Sequence, residues 1–238
     1  TSLQNPRVKE AAKLRDRKGR EQQGRILVEG IREISRALAA GVEIMEAFVC
    51  ETLCSEEPAA ELLAKLQLEK ELSLFAVNEQ VMSKLSFGNR AEGLIAIARP
   101  PQSSLDDLAR VMKKESLPLI VVVEGAEKPG NLGAILRTAD AAGVSGLIVA
   151  SGGTDLFNPN TIRASLGAIF TVPVCTATTD EALTWLQKQK LRIFATRVDG
   201  AVSYCDADLS VPCALVLGSE ARGLSPPWKG CGVVSISL

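Results

Sequence analysis

Residues 121–144 read VVVEGAEKPGNLGAILRTADAAGV, and they constrain the fold more than any other stretch of the chain. Val121, Val122 and Val123 form an unbroken β-branched run, the pattern of a strand covered on both faces. Pro129, Gly130 and Asn131 then punctuate, and Asn131 stands where a helix N-cap is expected. Leu132, Ile135, Leu136 and Ala139 recur at i, i+3, i+4 and i+7, the stripe of a helix with one face in a core. Arg137 lies off that stripe. Helical side chains lean toward the N-terminus, so its guanidinium is expected to lie back over Gly133. A guanidinium beside the free N–H groups of a helix start suits an anion such as phosphate. The plain alternative is a strand-to-helix turn carrying a solvated arginine.

The same unit repeats from residue 119 onward. Short apolar strands are expected over 119–123, 146–150, 193–196 and 213–217, with helices over 132–142, 160–166 and 180–190. Strand–helix alternation requires crossover connections, and so a mostly parallel sheet with helices on both faces. Ligands of such sheets bind beyond the carboxyl ends of the strands. Those ends carry Glu124-Gly125, Ser151-Gly152-Gly153, Thr196-Arg197 and Gly218-Ser219-Glu220. Residues 1–98 read as a separate small α/β domain, with strands over 26–29, 44–50, 72–77 and 94–98 and helices over 31–40, 59–67 and 80–85. Residues 99–118, with Pro100, Pro101 and a Ser-Ser pair, read as a linker holding a short helix over 105–114. The domain at 119–238 completes the chain, ending in a strand over 234–238.

Charge and composition narrow the chemistry. The chain carries a net charge of −1, yet residues 1–25 hold eight Arg and Lys against three Asp and Glu. That segment is therefore +5 and the remainder −6. A basic segment on an acidic body suggests a local nucleic-acid contact, through Arg7, Lys13, Arg15, Arg17, Lys18 and Arg20. A solvated amphipathic helix fits equally, because Val8, Ala11, Ala12 and Leu14 recur in the same stretch. The six cysteines include no Cys-x-x-Cys pair and the chain has no histidine, which excludes zinc-finger spacing and any Cys–His catalytic pair. Cys175 and Cys213 sit in apolar runs, as buried thiols in a reducing compartment do. No apolar run approaches the ~20 residues of a membrane span. Without imidazole, any proton transfer must use another group. The glycines at 130 and 133 fit neither the dinucleotide fingerprint nor a P-loop.

A second glycine-rich stretch follows the strand at 213–217. Residues 214–225, ALVLGSEARGLS, end a strand in Gly218, place a carboxylate at Glu220, and allow a second turn at Gly223. Gly218 would let a flat ligand lie against bare backbone. Ser225-Pro226 reads as an N-cap with proline at the first helical position.

Together these stretches resemble the SpoU/TrmH branch of the SPOUT RNA methyltransferases. Asn131, Gly133, Arg137, Thr138 and Ala139 match that family's N-x-G-x-x-x-R-T-A motif. LVLGSEARG at 215–223 is similar to its second motif, and IRASLGAIFTVPV at 162–174 to the R-A-S-x-G segment between them. RILVEGIREISRAL at 25–38 resembles the start of the ribosomal-protein-like RNA-binding domain that many members carry. The order and spacing of these pieces span nearly the whole chain.

The resemblance implies an α/β parallel-sheet SPOUT domain whose C-terminal segment forms a trefoil knot, preceded by a small RNA-binding α/β domain. It implies S-adenosylmethionine as methyl donor, held by Thr196, Leu217, Gly218, Ile236 and Leu238. It implies a homodimer, a cytoplasmic location, no metal, and a ribose 2′-hydroxyl of RNA as acceptor, ribosomal RNA ahead of tRNA. Arg137, Asn131 and Glu220 are the implied catalytic residues, Arg137 pinning phosphate and hydroxyl or accepting the proton. Glu220 alone as general base, or as a purely structural carboxylate, stays open beside that reading. Arg163 stands either on RNA phosphate or against its own helix region. The family's third motif aligns with Ile236-Ser237-Leu238, with serine in place of proline, and its last helix is expected beyond residue 238. A catalytically silent RNA- or ribosome-binding protein of the same fold is the alternative function, and a base methyltransferase a third.

Overall fold

The computed structural model describes residues 2–54, 57–69, 71–87, 92–151, 155–200, 202–230 and 232–237. They form two compact units, residues 1–101 with 155–171 and residues 102–154 with 172–238.

The first unit begins with helices α1 (Pro6–Lys13) and α2 (Arg17–Gln23), so the basic segment is folded. It continues through β1 (Ile26–Glu29), α3 (Ile31–Ala39), β2 (Ile44–Val49), α4 (Glu57–Leu68), β3 (Ser73–Ala76), α5 (Glu79–Leu85) and β4 (Leu94–Ala98). The sheet order is β1-β4-β2-β3, with β4 antiparallel to both neighbours and β2 parallel to β3. All five residues of β4 are buried, as a central apolar strand requires. Val8, Ala11 and Leu14 share a core with Leu27, Phe48, Ile95 and Ile97. That apolar stripe is what holds the basic helix in place.

Arg20 corrects the expectation that it meets RNA. Its side chain is 5% exposed, and Nη1 donates to the Leu14 and Arg15 carbonyls at 2.6 and 2.8 Å. Nη2 pairs with Asp155. A guanidinium set against the carbonyls closing α1 satisfies groups that the helix itself leaves unpaired. Arg20→Met should lower unfolding stability by about 3 kcal/mol, because Asp155 and two carbonyls lose their partner. Urea unfolding measures this, and a midpoint equal to wild type would remove Arg20 from the structural account.

The second unit runs through α6 (Leu105–Met112), β5 (Leu119–Glu124), α7 (Pro129–Ala142) and β6 (Gly146–Ala150). Residues 155–171, with α8 (Pro159–Ala164), belong to the first unit. The chain returns with β7 (Val174–Ala177), α9 (Thr179–Lys188), β8 (Arg192–Thr196), β9 (Val202–Ser203), β10 (Cys213–Leu217) and β11 (Val233–Ser237). The sheet order is β7-β6-β5-β10-β8-β11-β9, and every pairing is parallel. Strand β9 is not expected from the sequence, and β7 shows there only as a strand-like run around Cys175. Strand β7 is four residues behind a proline, and β9 is only two, too short for any periodicity.

Ile120 and Val122 of β5 and Ile148 and Ala150 of β6 join Leu108 and Met112 of α6 and Trp185 and Leu186 of α9 in one core. The alternate residues Val121, Val123, Leu147 and Val149 are buried as well, so the central strands are covered on both faces. Residues 102–118, expected to be linker, are packed here instead, because the apolar face of α6 is needed to cover the sheet. Cys50, Cys54, Cys175, Cys205 and Cys213 are free thiols. Burial pushes the Cys175 thiol up to about 12, which makes it inert at neutral pH. Among the described residues no helix is long and apolar enough to cross a membrane.

Candidate active site

The strand order sets β10 between β5 and β8, so the loop after β10 emerges at the middle of the sheet's carboxyl edge. That edge is where parallel sheets bind ligands.

Helix α7 starts three residues earlier than the sequence suggested. Pro129 occupies the first turn and Lys128 the cap position, without a side-chain cap bond. Proline's fixed φ favours that start, which leaves Asn131 inside the helix and its amide free for another partner. Its Nδ2 donates to Glu220 Oε1 at 2.9 Å, across 89 residues of sequence. The other Glu220 oxygen accepts no hydrogen bond among the described residues.

Glu220 sits in a tight fold-back. Ser219 and Gly223 exchange backbone hydrogen bonds of 3.1 and 2.9 Å, and the Arg222 amide donates to Ser219 Oγ at 3.1 Å. Gly223 takes φ +64°, in the left-handed region that favours glycine. This turn by itself requires glycine at 218. A Cβ there would lie 2.4 Å from the Gly223 carbonyl carbon and 2.7 Å from the Leu224 nitrogen.

Three cavities use this loop as a wall, one of them, of about 720 Å³, on the side of Glu124 and Thr179, and the other two on either side of Glu220. Of those two, one, of about 390 Å³, lies against α7 and is lined by Asn131, Ile135, Gly218 and Glu220. The other, of about 650 Å³, opens toward β8 and is lined by Thr196, Val198, Gly218, Glu220 and Leu224. Its far side is held by the Arg197–Asp199 pair, whose two N–H···O bonds measure 2.8 and 2.6 Å. The hydrogen bond to Arg197 holds the Asp199 carboxyl below its ordinary range.

The cavity toward β8 fits an adenosine-bearing cofactor on its own geometry. Gly218, Ser219, Ala221 and Gly223 give it one wall of backbone and small side chains, charged residues such as Arg197, Asp199 and Lys229 stand around it, and Val198 projects a fully exposed apolar side chain at its rim. Such a side chain is covered by a flat aromatic ring at little cost. Thr196 and Gly218 line the cavity directly, and Thr196 Oγ1 donates to the Val216 carbonyl at 3.0 Å. Leu217 closes β10 opposite Val123. Ile236 is buried opposite Thr196, and its carbonyl accepts the Arg197 amide at 2.9 Å. Leu238 and the glycines at 152 and 153 lie outside the described residues.

Arg137 is exposed on α7 and forms no hydrogen bond or ion pair among the described residues. It lines none of the three cavities, so the chain brings Asn131 and Glu220 together and leaves Arg137 facing solvent. The basic residues of the first unit differ among themselves. Arg7 lies over the Phe75 ring, Lys13 pairs with Glu10, and Arg17 pairs with Glu21. Arg15 donates to the Lys84 carbonyl, whereas Lys18 is exposed without a partner among the described residues. Arg163 is half-buried, and its Nη1 donates to the Phe87 carbonyl at 2.6 Å within its own unit.

Sequence reasoning gave no role to Glu124. Its signal was one acidic residue closing an otherwise apolar strand. Burial alone would raise its pKa, but hydrogen bonds from Thr179, Ser225 and Trp228 outweigh that and hold the carboxyl below its ordinary value.

Comparison with known proteins places this geometry. The SpoU rRNA Methylase family matches residues 118–231, and the MRM3-like substrate binding domain matches residues 5–96. The 23S rRNA (uridine(2479)-2'-O)-methyltransferase of Streptomyces viridochromogenes is 30% identical, over 95% of this chain and 79% of its own. Among solved structures, an RNA 2'-O ribose methyltransferase is 40% identical with TM-score 0.81, covering 100% of this chain and 88% of that one. An AdoMet-bound rRNA methyltransferase from Sinorhizobium meliloti is 30% identical with TM-score 0.86, covering 100% and 87%. The chain belongs to the SpoU rRNA methylase family, with an α/β SPOUT-type fold and an N-terminal substrate-binding domain. Among the described residues no cluster of three His, Cys, Asp or Glu is arranged to hold a metal ion.

Proposed function

We propose that this protein transfers a methyl group from S-adenosylmethionine to a ribose 2′-hydroxyl of RNA, ribosomal RNA being the substrate class. The observation that carries the reading is the Asn131–Glu220 bond beside a cavity of cofactor size. S-adenosylmethionine, when bound, supplies an electrophilic methyl group. The residues that would hold it are Thr196, Leu217, Gly218 and Ile236, with Val198 offering an apolar surface at the rim.

A ribose hydroxyl becomes a good nucleophile only as its proton leaves. A guanidinium stays protonated far above neutral pH, which favours a clamp on phosphate and hydroxyl over a general base. The unengaged guanidinium of Arg137 is available for that contact. Asn131 holds one Glu220 oxygen, and the other is free to take the hydroxyl proton. Glu220→Gln, which keeps the size and removes the basicity, should lower the transfer rate about 100-fold. A single-turnover rate equal to wild type would return Glu220 to a structural role.

The finer parts of the reading have separate supports. A trefoil knot accords with the passage of β11 beside the loop after β8, where a Cβ on Gly200 would lie 2.4 Å from the Ile236 carbonyl carbon. A homodimer rests on the family resemblance and on Arg137, which lies outside its own chain's cavities. Free buried thiols accord with the cytoplasm. Residues 1–98 serve as the RNA-binding domain, through exposed side chains such as Lys18. Lys18→Ala should weaken RNA binding at all sequences and reduce the salt slope by about one phosphate contact. Filter binding at several salt concentrations tests this, and an unchanged slope would remove Lys18 from the interface.

Titration calorimetry with S-adenosylmethionine alone tests the reading as a whole. Saturable heat at one site per chain is expected. No heat would favour a silent RNA-binding protein of the same fold.

A further inference from the structure

Among the described residues, one buried carboxylate at the active edge of the sheet joins four elements at once. Glu124 closes β5 and is 6% exposed. Its Oε1 accepts from Thr179 Oγ1 at 2.5 Å, Ser225 Oγ at 2.7 Å and Trp228 Nε1 at 3.0 Å. Its Oε2 accepts from the Ser225 amide at 2.7 Å. Two partners are N–H groups that can only donate and the two hydroxyls donate here as well, so the set suits an ionised carboxylate. The Thr179 proton is committed to Glu124, so Ser151 Oγ donates to Thr179 Oγ1 and accepts from the Thr179 amide at 3.0 Å. Thr179 itself is fixed by a capping box between Thr178 and Glu181 at the start of α9.

These bonds converge on the loop that carries Glu220. The loop leaves β10 at Leu217 and folds back through Ser219 and Gly223. It ends at Ser225, where both the amide and the hydroxyl bond to Glu124. Trp228, just beyond, is fully buried with its indole on the same carboxylate. The front of the loop meets Asn131 and the rear meets Glu124.

We propose that Glu124 is a positioning residue for methyl transfer: its carboxylate anchors Ser225 and Trp228 and so fixes where Glu220 sits. It lines the cavity of about 390 Å³, but its hydrogen bonds go to Thr179, Ser225 and Trp228 and to none of the groups assigned to the reaction, so it acts through the loop. The proposal rests on the methyl-transfer reading above for its effect on rate, but not for its effect on the loop.

Glu124→Gln is the test, because it keeps the side-chain length and turns one acceptor into a donor facing another donor. Hydrogen exchange of the amides at 219–224 should speed up about tenfold in the protein without substrate. The single-turnover rate should fall about tenfold with little change in the KM for RNA. In a Glu220→Ala background the same substitution should cost almost nothing further, since both act at one point. Ser225→Ala, which deletes one donor and leaves the carboxylate paired, should show the same pattern at smaller size and covers the case of a poorly folded Gln variant. Unchanged exchange at 219–224, or a rate loss fully additive with Glu220→Ala, would overturn the proposal. A wild-type protein that transfers no methyl group would instead overturn the functional reading, with the exchange result still reporting on the anchor.

Discussion

Arg137→Ala is expected to lower the single-turnover rate of methyl transfer about 100-fold while leaving S-adenosylmethionine affinity unchanged. The magnitude is that of removing one preorganised group from developing charge in a transition state. The separation follows from position: Arg137 is exposed on α7 and lines none of the three cavities. It has no partner to lose among the described residues, so the folded chain should keep its stability. Arg137→Lys should recover little, because a lysine cannot hold a phosphate and a hydroxyl in one planar fork. Calorimetry and single-turnover kinetics on the same preparation separate the two effects. Loss of cofactor binding together with rate would mean that Arg137 supports the cofactor cavity instead.

Gly218→Ala should act in the opposite order, on the cofactor first. The added methyl would lie 2.4 Å from the Gly223 carbonyl carbon, and both neighbours it meets are main chain. The fold-back between Ser219 and Gly223 must open to admit it, which moves the shared wall of the cavities. Overpacking of this kind costs about 1–3 kcal/mol, and if all of it falls on the binding-competent loop, affinity drops about tenfold or more. Calorimetry with S-adenosylmethionine measures this directly. An alanine variant with wild-type affinity would show that the wall is not part of the cofactor site.

The sequence made the second unit legible because its central strands are buried on both faces. Continuous runs such as Val121–Val122–Val123 and residues 146–150 have no polar position to confuse them, and β6 falls where it was expected. Strand β4, equally buried, was legible for the same reason. Edge elements were less so: β7 and β9 are too short to carry a period. Asn131 was assigned to the correct region but the wrong task, because Pro129 starts the helix before it and frees its amide for Glu220. Charge counting placed Arg20 with its solvated neighbours, although the side chain turns inward to cap α1. Glu124 shows the limit most clearly. Its partners lie 55 to 104 residues away, a distance over which no local pattern speaks. The family motifs bridged part of that gap by joining Asn131 and Glu220, and they left the anchor behind the loop unmarked.

The central claim is that the acceptor is a ribose hydroxyl. Incubating the protein with ribosomal RNA and methyl-labelled S-adenosylmethionine, then hydrolysing the RNA in alkali, tests it most directly. A 2′-O-methyl group blocks cleavage at its own nucleotide, so the label is predicted in an alkali-resistant dinucleotide, and Glu220→Gln should abolish most of it. Label recovered in ordinary mononucleotides would place the methyl group on a base and contradict the account.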